Sequence, residues 1–289
     1  MIKSNETNSK SVLITGASTG IGKACAVHLS ELGYQVFAGI RQQKDEHDLL
    51  KTSNNGLIPV QLDVTDTGSI NEAAKMIQTT LGERGLYALV NNAGIAVSGP
   101  IEFIPIDDFR QQFEVNVIGQ VAVTQTFLDL LRKAYGRIVN ISSISGQIAL
   151  PFLGPYASSK FALEAISDAL RVELRPWGIP VILIEPGRIA TPIWEKSLAR
   201  ADENIRGLPP KGKELYSQII DYARKSMTNP SRTMLSVESV VRVVEQVLSV
   251  ENPRARYAIG RKTSQRILLF KILPTRLRDK LMARRMGMK

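Results

Sequence analysis

Short apolar, β-branched runs alternate with longer segments of helical period along most of this 289-residue chain. That alternation restricts the fold to a parallel sheet with helices packed on its faces. The runs predict strands over residues 11–15, 34–40, 57–64, 86–91, 136–142, 179–185 and 256–259, and the spacing between them predicts helices over roughly 20–32, 49–53, 68–81, 107–132, 156–175 and 237–249. Ala88-Leu89-Val90 and Val181-Ile182-Leu183-Ile184 are continuously apolar, as strands are when helices cover both of their faces. The fold class is therefore α/β, a doubly wound parallel sheet of about seven strands.

One segment breaks the rhythm. Residues 191–232 show no strand pattern, are interrupted by Pro209-Pro210, and hold an amphipathic helix over 213–227 with Leu215, Ile219 and Tyr222 on one side. In folds whose ligands bind beyond the strand C-termini, such an insertion covers the site, and it reads as a lid. Residues 1–262 read as one domain that includes this lid, and 263–289 as a basic amphipathic tail.

The net charge of +10 is concentrated in that tail. Residues 254–289 carry twelve Lys/Arg against one acid, Asp279, while 1–253 carry 25 basic and 26 acidic groups. A neutral body argues against a nucleic-acid-binding face. Phe270, Leu273, Leu277 and Leu281 form a stripe ringed by Arg276, Arg278, Lys280, Arg284 and Arg285, with Pro274 kinking or restarting the helix. Such a helix suits peripheral membrane contact, a cap over the cleft, or a subunit contact. The lone Cys25 suits a reducing compartment. Residues 1–10 lack the apolar run of a signal peptide, and no stretch approaches the ~20 apolar residues of a spanning helix. A cytoplasmic protein, peripheral to a membrane where the tail engages one, is expected.

Directly after the first strand, Thr15-Gly16-Ala17-Ser18-Thr19-Gly20-Ile21-Gly22 opens a helix. Its glycines permit a tight turn and close backbone approach, so a dinucleotide pyrophosphate can rest on the helix N-terminus, where free N–H groups and the dipole favour negative charge. The spacing is Gly-x-x-x-Gly-x-Gly, not the commoner Gly-x-Gly-x-x-Gly. Asn91-Asn92-Ala93-Gly94 ends the fourth strand with small residues suited to a backbone under bound adenosine, and Asp63, followed by Val64, is placed to receive the adenine amino group. At the end of the second strand Ile40 stands where an acid would select NAD, Arg41 follows and Lys44 is near. NADP(H) is favoured over NAD(H), with Thr19, not a basic residue, in the glycine turn weighing the other way. No metal site is expected.

Tyr156 and Lys160 lie four residues apart in a helical segment, roughly 5–6 Å between Cβ atoms, so both groups reach one small molecule. A tyrosine titrates near ~10, and a fixed positive charge beside it favours the phenolate. Ser143, thirteen positions before Tyr156, supplies a hydroxyl to hold a carbonyl or alkoxide oxygen.

Together, the Thr-Gly-x-x-x-Gly-Ile-Gly turn, Asn91-Asn92-Ala93-Gly94, Asn116 within Glu114-Val115-Asn116-Val117, Ser143, Tyr156, Lys160 and Pro186-Gly187 resemble the short-chain dehydrogenase/reductase family in order and spacing. The resemblance covers about residues 10–260 and implies a Rossmann-type fold that transfers hydride to or from a nicotinamide dinucleotide. It implies that Tyr156 is the general acid/base and Ser143 orients the substrate oxygen. Lys160 binds the nicotinamide ribose and lowers the Tyr156 pKa, and Asn116 holds a water linking Lys160 to solvent. Gly16, Ser18, Thr19, Gly20, Ile21, Gly22, Arg41, Asp63, Val64, Asn92, Ala93 and Gly94 are expected to hold the rest of the cofactor. Pro186, Gly187, Ile189 and Thr191 are expected at the nicotinamide.

Residues expected on the substrate side are Ile95, Ala96, Val97, Ile148, Leu150, Phe152, Leu153, Ile189, Ile193 and Trp194, with no Arg or Lys placed among them. A lipophilic alcohol or ketone is expected there. The length, insertion and tail resemble the branch of retinol and hydroxysteroid dehydrogenases, with a homo-oligomer implied through the helices at 107–132 and 156–175. Two other readings stay open: a non-catalytic dinucleotide-binding sensor or scaffold, and a 3-oxoacyl reductase.

Overall fold

Seven strands form one parallel sheet in the order β3-β2-β1-β4-β5-β6-β7. They are β1 (Ser11–Ile14), β2 (Gln35–Ile40), β3 (Leu57–Gln61), β4 (Ala88–Asn91), β5 (Arg137–Ile141), β6 (Val181–Pro186) and β7 (Arg256–Ile259). The structure is a computed structural model that describes residues 10–52, 56–228, 234–260 and 262–286. The chain winds outward from β1 to β3 and then restarts at β4 beside β1, so a crevice opens beyond the C-terminal ends of β1 and β4.

Both sheet faces are covered. Val12 and Ile14 enter one apolar cluster with α1 (Gly20–Glu31) and α9 (Glu238–Ser249), while Leu13 between them enters the other with α3 (Thr67–Leu81) and α5 (Gly119–Lys133). Successive strand residues point to opposite faces, which is why these short strands are apolar throughout. Burying each such side chain contributes roughly 1.5–3 kcal/mol. Asp66 starts α3 by accepting hydrogen bonds from the Gly68 and Ser69 N–H groups at 2.8 and 3.2 Å.

Four segments differ from the sequence expectation. The short helix after β2 is α2 (Lys44–Leu50), not 49–53, because Asp45 and Glu46 favour its positive N-terminus and Leu49 anchors its far end in the core; Ser53 lies outside the described residues. The predicted helix over 107–132 is divided into α4 (Ile106–Phe113), a wide π-helical turn (Glu114–Ile118) and α5. Gly119 abuts the Val64 carbonyl, where a Cβ would stand 2.5 Å from the oxygen. The wide turn just before it buries Val115, Asn116 and Val117 together.

The helix carrying Tyr156 is α6 (Gly154–Glu173), and the insertion holds two helices, α7 (Pro192–Arg206) and α8 (Pro210–Thr228), not one. Pro192 and Pro210 each stand at a first helical position, where a missing N–H costs nothing. Residues 229–232 of the expected lid lie outside the described residues. The tail forms α10 (Thr263–Ile272) and α11 (Thr275–Arg285), restarting at Pro274 as the sequence suggests; Arg261 and residues 287–289 lie outside the described residues. No helix among the described residues is long and apolar enough to cross a membrane, and no cluster of metal-ligating side chains occurs among them.

Candidate active site

The crevice is a cleft of about 410 Å³. At one end is the turn between β1 and α1, where Gly16 and Gly20 adopt φ of +64° and +58°. These are left-handed conformations that glycine takes without strain. A Cβ on Gly16 would stand 2.9 Å from the Ala93 Cα, and one on Gly22 would stand 2.3 Å from the Gly16 carbonyl oxygen. The turn is therefore packed directly onto Asn92 and Ala93. Thr15 Oγ1 accepts from the N–H groups of Asn92 and Ala93 at 3.0 Å each, and Asn92 Nδ2 donates to the carbonyls of Thr15 and Gly16.

Thr19 precedes α1 in an extended conformation without a side-chain cap, and the first turn carries no acid. That end of the helix keeps its N–H groups and positive dipole for an anion, so the turn fits a pyrophosphate. Ser18, Thr19, Gly20, Ile21, Arg41, Asp63, Val64, Asn92, Ala93 and Gly94 all line this part of the cleft with Gly16, whereas Gly22 packs beneath the turn. Asp63 accepts from the Thr65 N–H and hydroxyl. Exposed Arg41 follows buried Ile40, and Asp63 is the acid nearest it in the lining.

Deeper in, β5 ends in the loop carrying Ser143, and α6 lies across it. Ser143, Tyr156 and Lys160 are buried and line the same cleft as Asn116, Pro186, Gly187, Ile189 and Thr191. Burial pushes the Tyr156 phenol up from its ordinary value, with the Ser143 hydroxyl pulling the other way. Trp194 stands edge-on to the Tyr156 ring, centroids 6.0 Å apart. Lys160 Nζ donates to the Ile141 carbonyl at 2.8 Å and lies 5.9 Å from the Tyr156 ring centroid. Burial lowers this ammonium to about 8, with the Glu164 charge opposing. The pKa depression expected of Tyr156 is outweighed here by desolvation.

Asn116 is fully buried, and its amide is spent on the cleft wall. Its Oδ1 accepts from the Ile95 N–H at 2.9 Å, while Nδ2 donates to the Ile95 carbonyl and to Ser159 Oγ. Gln112, absent from the sequence reading, makes the parallel set: Oε1 accepts from the Val97 N–H at 2.7 Å and Nε2 donates to the Ile95 carbonyl. A period-3.6 pattern marks Gln112 only as a polar residue on a helix, so nothing in the sequence singles it out.

Behind the Ser143 loop lies a second group the sequence reading missed. Glu164 on α6 accepts from Ser142 Oγ and from Gln147 Nε2, and Gln147 also donates to Glu185 at the end of β6. Arg256 of β7 pairs with Glu164, Glu185 and Asp168, the last through two hydrogen bonds of 2.7 and 2.8 Å. Burial, then the neighbouring Glu164 charge, pushes the Glu185 carboxyl up to about 7, Arg256 opposing.

On the substrate side Ile95, Ala96, Val97, Ile189, Ile193 and Trp194 line the cleft, whereas Ile148, Leu150, Phe152 and Leu153 do not. The expectation that no cation stands there is overturned: Lys196 and Arg200 of α7 line it with Gln111. The unpredicted helix α7 carries both toward the cleft by their four-residue spacing. Helix α7 is docked by the Ser98–Ser197 hydroxyl contact of 3.1 Å and by Asp108, which accepts from Arg200 and from Asn204.

A family model described as short chain dehydrogenase matches residues 10–202. The chain is 38% identical over 278 residues to the NADPH-dependent 3-dehydrocapnine reductase of Ornithobacterium rhinotracheale, covering 93% of this chain and 94% of that protein. It is also 38% identical over 280 residues to 17-beta-hydroxysteroid dehydrogenase type 6 of Bos taurus, covering 95% and 88%. A crystal structure of a short-chain dehydrogenase from Streptomyces avermitilis superposes with a TM-score of 0.77 at 26% identity, covering 95% of each chain.

Proposed function

The chain belongs to the short chain dehydrogenase family, and on that premise we propose that it is an NADP(H)-dependent oxidoreductase interconverting a lipophilic alcohol with its ketone or aldehyde. One observation carries the reading: Ser143, Tyr156 and Lys160 converge in the same cleft as the glycine turn. The bound nicotinamide supplies or accepts the hydride. Ser143 holds the substrate oxygen, Tyr156 donates or accepts the proton on that oxygen, and Lys160 holds a ribose hydroxyl while adding positive charge beside the phenol. Asn116 fixes the Ile95 backbone that forms the adjoining wall. Purified protein with a panel of lipophilic ketones is expected to consume NADPH. Tight NADPH binding without turnover across that panel would favour a sensor instead.

Arg41 is the group read as holding the NADP 2′-phosphate. Arg41→Asp is expected to lower kcat/KM for NADPH by at least about tenfold, the worth of a charge-assisted hydrogen bond, and to improve use of NADH. Steady-state kinetics with both cofactors measures the switch, and an unchanged NADPH/NADH ratio rejects this role.

For the tail, the reading is contact with an anionic membrane surface. Ile267 and Thr263 anchor α10, while Leu268, Leu269 and Ile272 are 59, 57 and 71% exposed within a strongly basic segment. That combination suits an interfacial helix. The full-length protein is expected to sediment with phosphatidylserine-containing vesicles and the L268D/L269D variant to stay in the supernatant; equal sedimentation rejects the contact. Ile118, Phe161 and Val172, exposed on the helices expected to join subunits, suit pairing with a second copy of the chain.

A further inference from the structure

The cleft is apolar near Tyr156 and cationic along α7. Trp194 touches the Tyr156 ring, Ser197 is fixed to Ser98, and Lys196 and Arg200 line the cleft on the same helix. The six steps from Trp194 to Arg200 cover roughly 9 Å of helix axis. The two cations are not equivalent. Arg200 is held by Asp108, whose carboxyl is pulled below the usual carboxylate range chiefly by its hydrogen bond with that guanidinium. Lys196 makes no ion pair among the described residues; of the three acids on its helix, Asp202 and Glu203 pair with Arg224 and Arg200, while Glu195, its exposed neighbour in sequence, makes no ion pair with it. An ammonium without an ion-pair partner among the described residues thus lines the cleft beside Ile193 and Trp194, within one helical turn of the residue that touches Tyr156.

Resting on the oxidoreductase reading above, we propose that the substrate is a lipophilic ketone or alcohol bearing an acidic group, a carboxylate, sulfonate or phosphate, that pairs with Lys196. The apolar wall of Ile95, Val97, Ile193 and Trp194 takes the hydrocarbon. The carbonyl reaches Ser143 and Tyr156, and the acid stays at the α7 side, where pairing does not require burying a charge unpaired. Arg200, already neutralised by Asp108, braces the helix and leaves Lys196 as the group that tells acid from neutral ligand.

The test uses the full chain with NADPH and two ketones matched in chain length and carbonyl position, an oxo fatty acid and its methyl ester. The acid is expected to show kcat/KM on the order of tenfold above the ester. In Lys196→Met that ratio is expected to fall to near one through a higher KM for the acid, and Lys196→Arg to restore it. A wild-type ratio near one overturns the proposal. So does a Lys196→Met variant whose loss appears as a matching rise in NADPH Kd, which would assign the ammonium to the cofactor. Failure of the wild type to reduce either ketone, or any in the panel, while binding NADPH overturns the oxidoreductase reading and this proposal with it.

Discussion

Tyr156→Phe is expected to lower kcat for ketone reduction by about 10²–10⁴, the range general acid catalysis supplies, with the fold preserved. Tyr156 is 6% exposed, and the neighbouring groups are committed elsewhere: Ser143 Oγ accepts from the Ser145 N–H, and Lys160 Nζ is turned to the Ile141 carbonyl. Phenylalanine keeps the ring edge-on to Trp194, so only the hydroxyl is lost, about 1 kcal/mol of stability. Because burial holds the phenol protonated above its usual range, the residue is poised as an acid. Reduction is expected to run at neutral pH, whereas alcohol oxidation, which needs the phenolate, rises as pH increases. Kinetics in both directions, with thermal unfolding of the variant, check this. Near-wild-type reduction by Tyr156→Phe would remove Tyr156 from the chemistry.

Arg256→Met is expected to destabilise the protein by about 3–5 kcal/mol at pH 8, the cost of leaving buried carboxylates without their partner. Glu164 and Glu185 have side chains only 7 and 4% exposed, and Arg256 is the cation that pairs with both. The sign of the pH dependence follows from Glu185. Its pKa of about 7 in the folded protein exceeds the unfolded value of 4.5, so its stabilising contribution is complete below about 4.5 and is lost as pH rises through about 7. The variant removes the opposing positive charge and deepens that loss, so its deficit is largest at pH 8 and shrinks toward pH 5, where Glu185 is protonated. Urea unfolding at both pH values measures it. A deficit independent of pH would mean that the lost packing of Arg256, not charge, governs the effect.

Local elements were legible because their causes are local. The seven strands show as apolar runs since both sheet faces are covered. The glycine turn shows because positive φ at Gly16 and Gly20 and the contact under Gly22 admit no side chain. The π-helical turn was not legible, because a helical period runs through it unbroken, and Gly119 meets the Val64 carbonyl from a segment far away in sequence. Nor was the buried face of α6. Its leucines suggest an apolar stripe, yet Ser159, Lys160, Glu164 and Ser167 are buried beside Leu163, each satisfied by a partner from elsewhere: Asn116, Ile141, Arg256 and Asn140. A hydrophobic pattern counts Ser159, Glu164 and Ser167 as solvent-facing, since nothing near them in sequence shows that a partner waits inside.

By itself, the sequence determined the apolar character of the strands, the glycine turn after β1, and the four-residue spacing that sets Tyr156 and Lys160 on one helix, because each rests on spacing within a few residues. Only the tertiary structure decided the rest: that burial raises the Tyr156 phenol, that Asn116 and Gln112 build the cleft wall, and that α7 places Lys196 and Arg200 in the cleft lining. Desolvation and long-range pairing depend on what surrounds a group in space, and the chain brings those surroundings together only when it folds.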